Sequence, residues 1–193
     1  MTPESGSCAD LAVLLWLVAM SAAVKSVRIR RAIPADAEAL AALVRDLARH
    51  EGKGDTAGHI TGAAVTGWLF GPAPMCEALV AELDGRPVGY VAYYDSFSLF
   101  LGGTVLLVEN LFVLDAARGH RVGRRLMAAA AAEARRRGIG RMEIHVRGDS
   151  RPARAFYERL GIADTGECVY RAEEAALAAM AAGEGKGGGE KAP

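Results

Sequence analysis

The chain has 193 residues, of which 51% are hydrophobic and 24% charged, so it is long and apolar enough for one domain with a core. This composition excludes a wholly disordered chain, and a formal net charge of zero argues against a nucleic-acid binder with a broadly basic surface. The three cysteines are far apart and form no CxxC pair, which predicts a reduced, cytoplasmic protein. The four histidines lack the spacing of metal ligands, and we expect no metal.

The two ends of the chain differ from its middle. Leu11–Met20 is an unbroken apolar run, shorter than the roughly 20 residues that span a bilayer, and the segment before it is acidic rather than basic. Three interpretations stay open: a natural start at Met20, a docking or targeting extension, and export. We therefore predict a non-core extension over residues 1–26, a folded domain over 27–182 and a disordered, glycine-rich tail over 183–193.

The first half of the folded region predicts a strand, two helices and a hairpin. Val27–Arg31 has the period of a strand, and Pro34 opens a helix whose apolar residues recur at helical spacing. A loop with three glycines follows, then a second helix over residues 61–69. The stretches ALVAEL and VGYVAYY flank Asp84-Gly85, a pair that supplies the positive φ angles of a tight hairpin turn.

The second half continues the alternation. It predicts a strand at 104–113, an alanine-rich helix at 123–137, a strand at 141–146, a helix at 152–160, a last strand at 168–170 and a helical end. Three consecutive strands are typical of a mixed sheet rather than a doubly wound one. We therefore predict an α/β (α+β) fold.

The segment VENLFVLDAARGHRVGRRL combines a lone carboxylate, Glu109, with a basic turn that contains Gly119 and Gly123. Backbone N–H groups at a helix start lack internal partners and lie in a positive potential, so such a turn can hold phosphate. Arginines at a helix start are also common on a solvated face, so the spacing alone leaves both interpretations open. The turn matches neither a Walker loop nor a dinucleotide fingerprint.

Three stretches together resemble the GNAT superfamily of N-acetyltransferases. RGHRVG is similar to the superfamily's Q/R-x-x-G-x-G/A loop, with Arg121 where glycine is usual. SRPARAFYERLG resembles the N-x-x-A-x-x-F-Y segment, with Ser150 in place of asparagine. GYVAYYDSFSLFLGGTVLLVENLFV resembles the diamine acetyltransferases that act on spermidine and spermine, with Asn110 where aspartate is usual.

The resemblance implies a mostly antiparallel sheet that is splayed at the cofactor, with helices on both sides, and acetyl-CoA as co-substrate. It also implies a homodimer. The expected cofactor contacts lie on a strand, on the loop with its helix start, and on the downstream segment: Leu111, Phe112, Val113, Arg118, Gly119, His120, Arg121, Val122, Gly123, Arg124, Ser150, Arg151, Pro152 and Ala153.

The implied reaction is acetyl transfer to a primary amine by direct attack. Glu109 is the candidate base, because its apolar neighbours argue against a fully solvated strand position, and Tyr157 is the candidate acid for the leaving thiolate. His50 and Glu51, with Glu109, are the candidate amine contacts. The expected substrate is a small molecule, a diamine, polyamine or lysine-like amine. The alternative is a degenerate member that binds acetyl-CoA as a sensor or non-catalytic subunit; no nucleic-acid partner and no membrane span are expected.

Overall fold

The computed structural model describes residues 26–183. The apolar run Leu11–Met20 and nearly all of the glycine-rich tail lie outside this range, so both predictions for the ends stay predictions. The described residues form two compact units that divide between Ile144 and His145. No helix within residues 26–183 is long and apolar enough to cross a bilayer.

The first unit contains five strands and three helices. The strands are β1 Val27–Arg31, β2 Glu77–Leu83, β3 Arg86–Ser98, β4 Gly103–Val113 and β5 Met142–Ile144. The helices are α1 Ala37–His50, α2 Gly62–Phe70 and α3 Val122–Arg136. Short 3-10 turns lie at Pro34–Asp36, Gly54–His59 and Asp115–Ala117. The second unit contains the helices α4 Arg151–Glu158 and α5 Glu174–Ala181.

The strands form one sheet in the order β1-β2-β3-β4-β5. All neighbours are antiparallel except β4 and β5, which run parallel over Leu106–Val108 and Met142–Ile144. The mixed, mostly antiparallel sheet is therefore confirmed. The hairpin is also confirmed, because β2 and β3 meet at Asp84 and Gly85, whose φ angles are 52° and 76°.

Helices cover the two faces of the sheet. Leu40 and Leu43 of α1 and Val65 of α2 pack in one buried cluster with Tyr90 of β3. Tyr93 lies on the opposite face, because its ring is under the Arg137 guanidinium directly after α3, 5.5 Å from its centre. Coverage on both sides explains why the four consecutive β4 residues Val105–Val108 are all buried.

The predicted last strand is wrong. Residues 162–172 form no strand, and the side chains of Val169 and Tyr170 are 63% and 95% exposed. A strand needs a neighbour that accepts and donates its backbone hydrogen bonds, and no strand of the described chain pairs with Cys168–Tyr170. The helical end after it is confirmed as α5.

Candidate functional site

Glu109 is the extra residue of a β-bulge. Ala92 pairs with Asn110 and Tyr93 with Val108, so β4 has one residue more than β3 at this point. A bulge breaks the alternation of side chains along a strand and turns the extra residue in a new direction. The four residues before Glu109 are buried, whereas Glu109 itself is exposed and lines a cavity. The bulge explains how an apolar strand presents one carboxylate.

The edge of β4 beyond the bulge has no neighbouring strand in the first unit. Pairing with β5 ends at Val108. The Leu114 N–H donates to the Val88 carbonyl of β3 (2.9 Å), and the Phe112 carbonyl also lies against β3 at Gly89. Because alternate residues face the same neighbour, the backbone groups of Leu111 and Val113 face the open edge. Strand β5 ends at Ile144, so no strand of the first unit pairs with β4 at Leu111 and Val113.

The pairing register of β3 and β4 leaves room only for glycine at position 89. A Cβ at position 89 would lie 2.6 Å from the Phe112 carbonyl oxygen and 3.2 Å from the Val113 Cα, both of which are backbone atoms. Any side chain there would force β3 and β4 apart next to the open edge.

The loop Arg118–Gly123, called the 118–123 loop below, leads into α3 with two positive φ angles. Gly119 has φ 87° and Arg121 has φ 57°. Arg121 is the N-cap of α3, and no side chain caps the helix start. The first helical bond runs from the Arg125 N–H to the Arg121 carbonyl (3.0 Å), so the amides before Arg125 have no partner within the helix. This arrangement suits an anion.

The side chains of the loop and of the first helical turn are mostly in solvent. Arg118 forms an ion pair with Asp115 (2.7 Å), and His120, Arg121 and Arg124 are exposed. Val122 is the exception: its side chain is buried and anchors the helix start in the core. The loop therefore presents backbone amides and exposed basic side chains to solvent.

A cavity of about 500 Å³ lies beside Glu109 in the first unit. Its walls come from α1, α2, the segment before β2, and strands β2–β4. The lining residues are Leu40, Val44, Val65, Trp68, Leu69, Met75, Cys76, Ala78, Tyr90, Ala92, Tyr94, Glu109 and Asn110. An apolar cavity with few polar groups is the usual form of a small-molecule site.

Three titratable side chains besides Glu109 line this cavity: Cys76, Tyr90 and Tyr94. Burial, followed by the negative charges of Glu109 and Glu77, raises the pKa of the Cys76 thiol. The thiol therefore stays protonated at neutral pH, which disfavours a covalent route through Cys76. Burial also raises the pKa of the Tyr90 phenol, and the charges of Glu51 and Glu109 add to this effect.

The end of α1 meets the expectation for the amine site only in part. Glu51, directly after α1, acts electrostatically on the Tyr90 hydroxyl, as Glu109 does. However, Glu51 forms an ion pair with Lys53 (2.9 Å) and does not line the cavity. His50 is exposed and is also absent from the lining.

The second unit holds the downstream group of predicted residues. Ser150 is the N-cap of α4 without a side-chain capping bond, and Arg151, Pro152 and Ala153 form the first turn. Tyr157 lies one turn further along, in edge-to-face contact with Phe156 (ring centres 5.1 Å apart). Burial raises the pKa of the Tyr157 phenol to about 12, so it stays protonated at neutral pH.

The sequence analysis did not predict the bulge, the cavity or the place of Tyr90 in the cavity wall. No local sequence pattern marks the bulge or the cavity, because each depends on how separate elements meet. Tyr90 has a weak signal, because Tyr90, Ala92 and Tyr94 alternate along β3 and share the cavity face.

The chain matches known acetyltransferases over this whole region. The family model described as "Acetyltransferase (GNAT) family" matches residues 39–162. Thialysine N-epsilon-acetyltransferase of Mus musculus is 30% identical over 150 residues, which cover 74% of this chain and 87% of the relative.

Two solved structures are similar in fold. An integron cassette protein of V. cholerae matches with a TM-score of 0.68 at 23% identity and covers 81% of this chain and 98% of its own. An aminoglycoside N-acetyltransferase in complex with CoA matches with a TM-score of 0.63 at 18% identity and covers 77% and 95%. The family match spans the bulge, the 118–123 loop and Tyr157. The chain therefore belongs to the GNAT family of acyl-CoA-dependent N-acetyltransferases.

Proposed function

We propose that this protein transfers the acetyl group of acetyl-CoA to the primary amine of a small molecule, with Glu109 as base and Tyr157 as acid. The observation that carries the proposal is the exposed carboxylate of the β4 bulge beside an apolar cavity. The mouse relative is named for a thialysine amine, which supports an amine acceptor here.

The base is needed because an alkyl ammonium has a pKa of about 10.4. At neutral pH about one molecule in a thousand carries a free lone pair, which corresponds to roughly 4 kcal/mol. The Glu109 carboxylate accepts the proton, directly or through a water, and such help contributes about 10²–10⁴ in rate. The amine then attacks the acetyl carbonyl carbon, so that a C–N bond forms and the C–S bond breaks.

The acid is needed at the sulfur. An alkyl thiol has a pKa of about 8.5, whereas that of the Tyr157 phenol is about 12. Full proton transfer from the phenol to the thiolate is therefore uphill by roughly 5 kcal/mol. We infer that Tyr157 acts mainly as a hydrogen-bond donor to the developing negative charge on sulfur, and that solvent supplies the final proton.

The residues present fit the expected acetyl-CoA. Acetyl-CoA supplies the activated acetyl thioester. The uncapped amides at the start of α3 and the positive φ angles of Gly119 and Arg121 suit a pyrophosphate. The open edge at Leu111 and Val113 suits an extended chain that carries amides. The first turn of α4, from Ser150 to Ala153, is the proposed second contact.

The test is an amine panel with acetyl-CoA, followed by thiol release and by mass spectrometry of the product. We expect stoichiometric thiol and N-acetylated amine. Tight binding of acetyl-CoA without thiol release across monoamines, diamines, polyamines and amino acids would favour the sensor alternative and overturn the proposed reaction. A cytoplasmic homodimer remains part of the proposal, and light scattering of the full chain tests its dimeric state.

A further inference from the structure

The cavity beside Glu109 has almost no charge on its walls. Of its 13 lining residues, Glu109 alone carries a formal charge. The wall formed by α1 and α2 is uncharged and consists of hydrophobic side chains, Leu40, Val44, Val65, Trp68 and Leu69. A second cationic group that entered this wall would lose its water without gaining a partner.

Tyr90 contributes its ring to these walls. The residue is 1% exposed, and its hydroxyl is buried away from the cavity surface, without a hydrogen-bond partner within the described chain. Tyr90 therefore adds apolar surface to the cavity rather than a hydrogen-bonding group. Glu109 and Glu51 both act electrostatically on this hydroxyl, so the potential on this side of the cavity is negative.

From these observations we infer that the acceptor is a monoamine with an apolar body. Its nitrogen lies beside the Glu109 carboxylate, which is the one formal charge among the lining residues. The apolar body lies against α1 and α2. This inference rests on the proposed acetyl transfer and narrows its substrate class.

A diamine or polyamine fits these walls less well. Two carboxylates outside the lining, Glu51 and Glu77, act electrostatically on lining residues. Both already form ion pairs: Glu51 with Lys53, and Glu77 with Arg31 and Arg137. The apolar body of a monoamine, in contrast, gains from burial roughly in proportion to its area.

The experiment compares hexylamine with 1,6-diaminohexane, which have the same chain length and differ by one terminal ammonium. Thiol release from acetyl-CoA is measured with the full chain. We expect kcat/KM for hexylamine to exceed that for the diamine by about tenfold or more. Equal or higher kcat/KM for the diamine would overturn the inference but leave amine acetylation standing. If no amine gave thiol release, the proposed function would be overturned, and the inference with it.

Discussion

Arg121 occupies a backbone conformation that glycine adopts more easily. Its φ of 57° lies in the left-handed region, which costs a residue with a Cβ about 1–2 kcal/mol. The substitution for the usual glycine therefore adds local strain without removing an amide from the helix start. The side chain is exposed, so it does not compete with the core. We conclude that the loop forms here despite the departure from the family pattern.

Tyr157 is the residue whose contribution can be isolated most cleanly. Tyr157→Phe removes the donor and keeps the ring contact with Phe156. We expect kcat to fall about 100-fold, as for other single donors to a developing anion, with little change in the KM for acetyl-CoA. Thiol-release kinetics measure both constants.

The control is Tyr170→Phe, the same change at a side chain that is 95% exposed. This variant should behave as wild type. A Tyr157→Phe enzyme that kept its full kcat would show that the leaving thiolate needs no phenol.

The Glu133 carboxylate links helix α3 to the sheet, because it accepts hydrogen bonds from several arginines. Glu133 is buried and accepts bonds from Arg31 of β1 (2.5 Å), from Arg136 (2.6 Å) and from Arg137 (2.8 Å). Arg137 also pairs with Glu77 of β2 and with Asp95 of β3. These hydrogen bonds lower the pKa of the Glu133 carboxyl, that from Arg136 most, against the cost of its burial. The cluster thus holds the end of α3 on the sheet.

This cluster predicts a pH-dependent stability. A lowered folded-state pKa gives stability that is complete above the unfolded pKa of about 4.3 and declines as the pH falls below it, by about 1.4 kcal/mol per unit. Glu133→Gln should lower the free energy of unfolding at pH 7 by about 2 kcal/mol. The difference between the variant and wild type in the free energy of unfolding should become smaller between pH 4 and pH 3. Urea unfolding at each pH measures this free energy.

Glu174→Gln, at an exposed position in α5, serves as the control. Its free energy of unfolding should change with pH as that of wild type does. A difference in the free energy of unfolding between Glu133→Gln and wild type that stayed constant with pH would mean that the Glu133 carboxyl has the same pKa in the folded and unfolded states, and would contradict the role of the cluster.

Across the whole molecule, the sequence predicted correctly the features that depend on residues close together in the chain. The Asp84-Gly85 turn, the apolar stripe of α1 and the three consecutive strands all formed as expected. Each depends on the preferences of neighbouring residues, which a sequence displays directly.

The remaining features depend on distant partners. The strand predicted at 168–170 fails, because a short apolar stretch does not specify a neighbour to pair with. The bulge at Glu109 is a mismatch of length between two strands, which neither strand contains alone. The cavity around Tyr90 needs α1, α2 and β3 to meet. The carboxylate itself was visible in the sequence, whereas the reason for its exposure was not.

The most direct measurement compares wild type with Glu109→Gln in the acetylation of hexylamine, followed by thiol release at one fixed pH. Glutamine keeps the shape of the bulged residue and cannot accept the amine's proton. We expect kcat/KM for the amine to fall by a factor of about 10²–10⁴, with an unchanged KM for acetyl-CoA. A Glu109→Gln enzyme as fast as wild type would contradict the role of Glu109 as base.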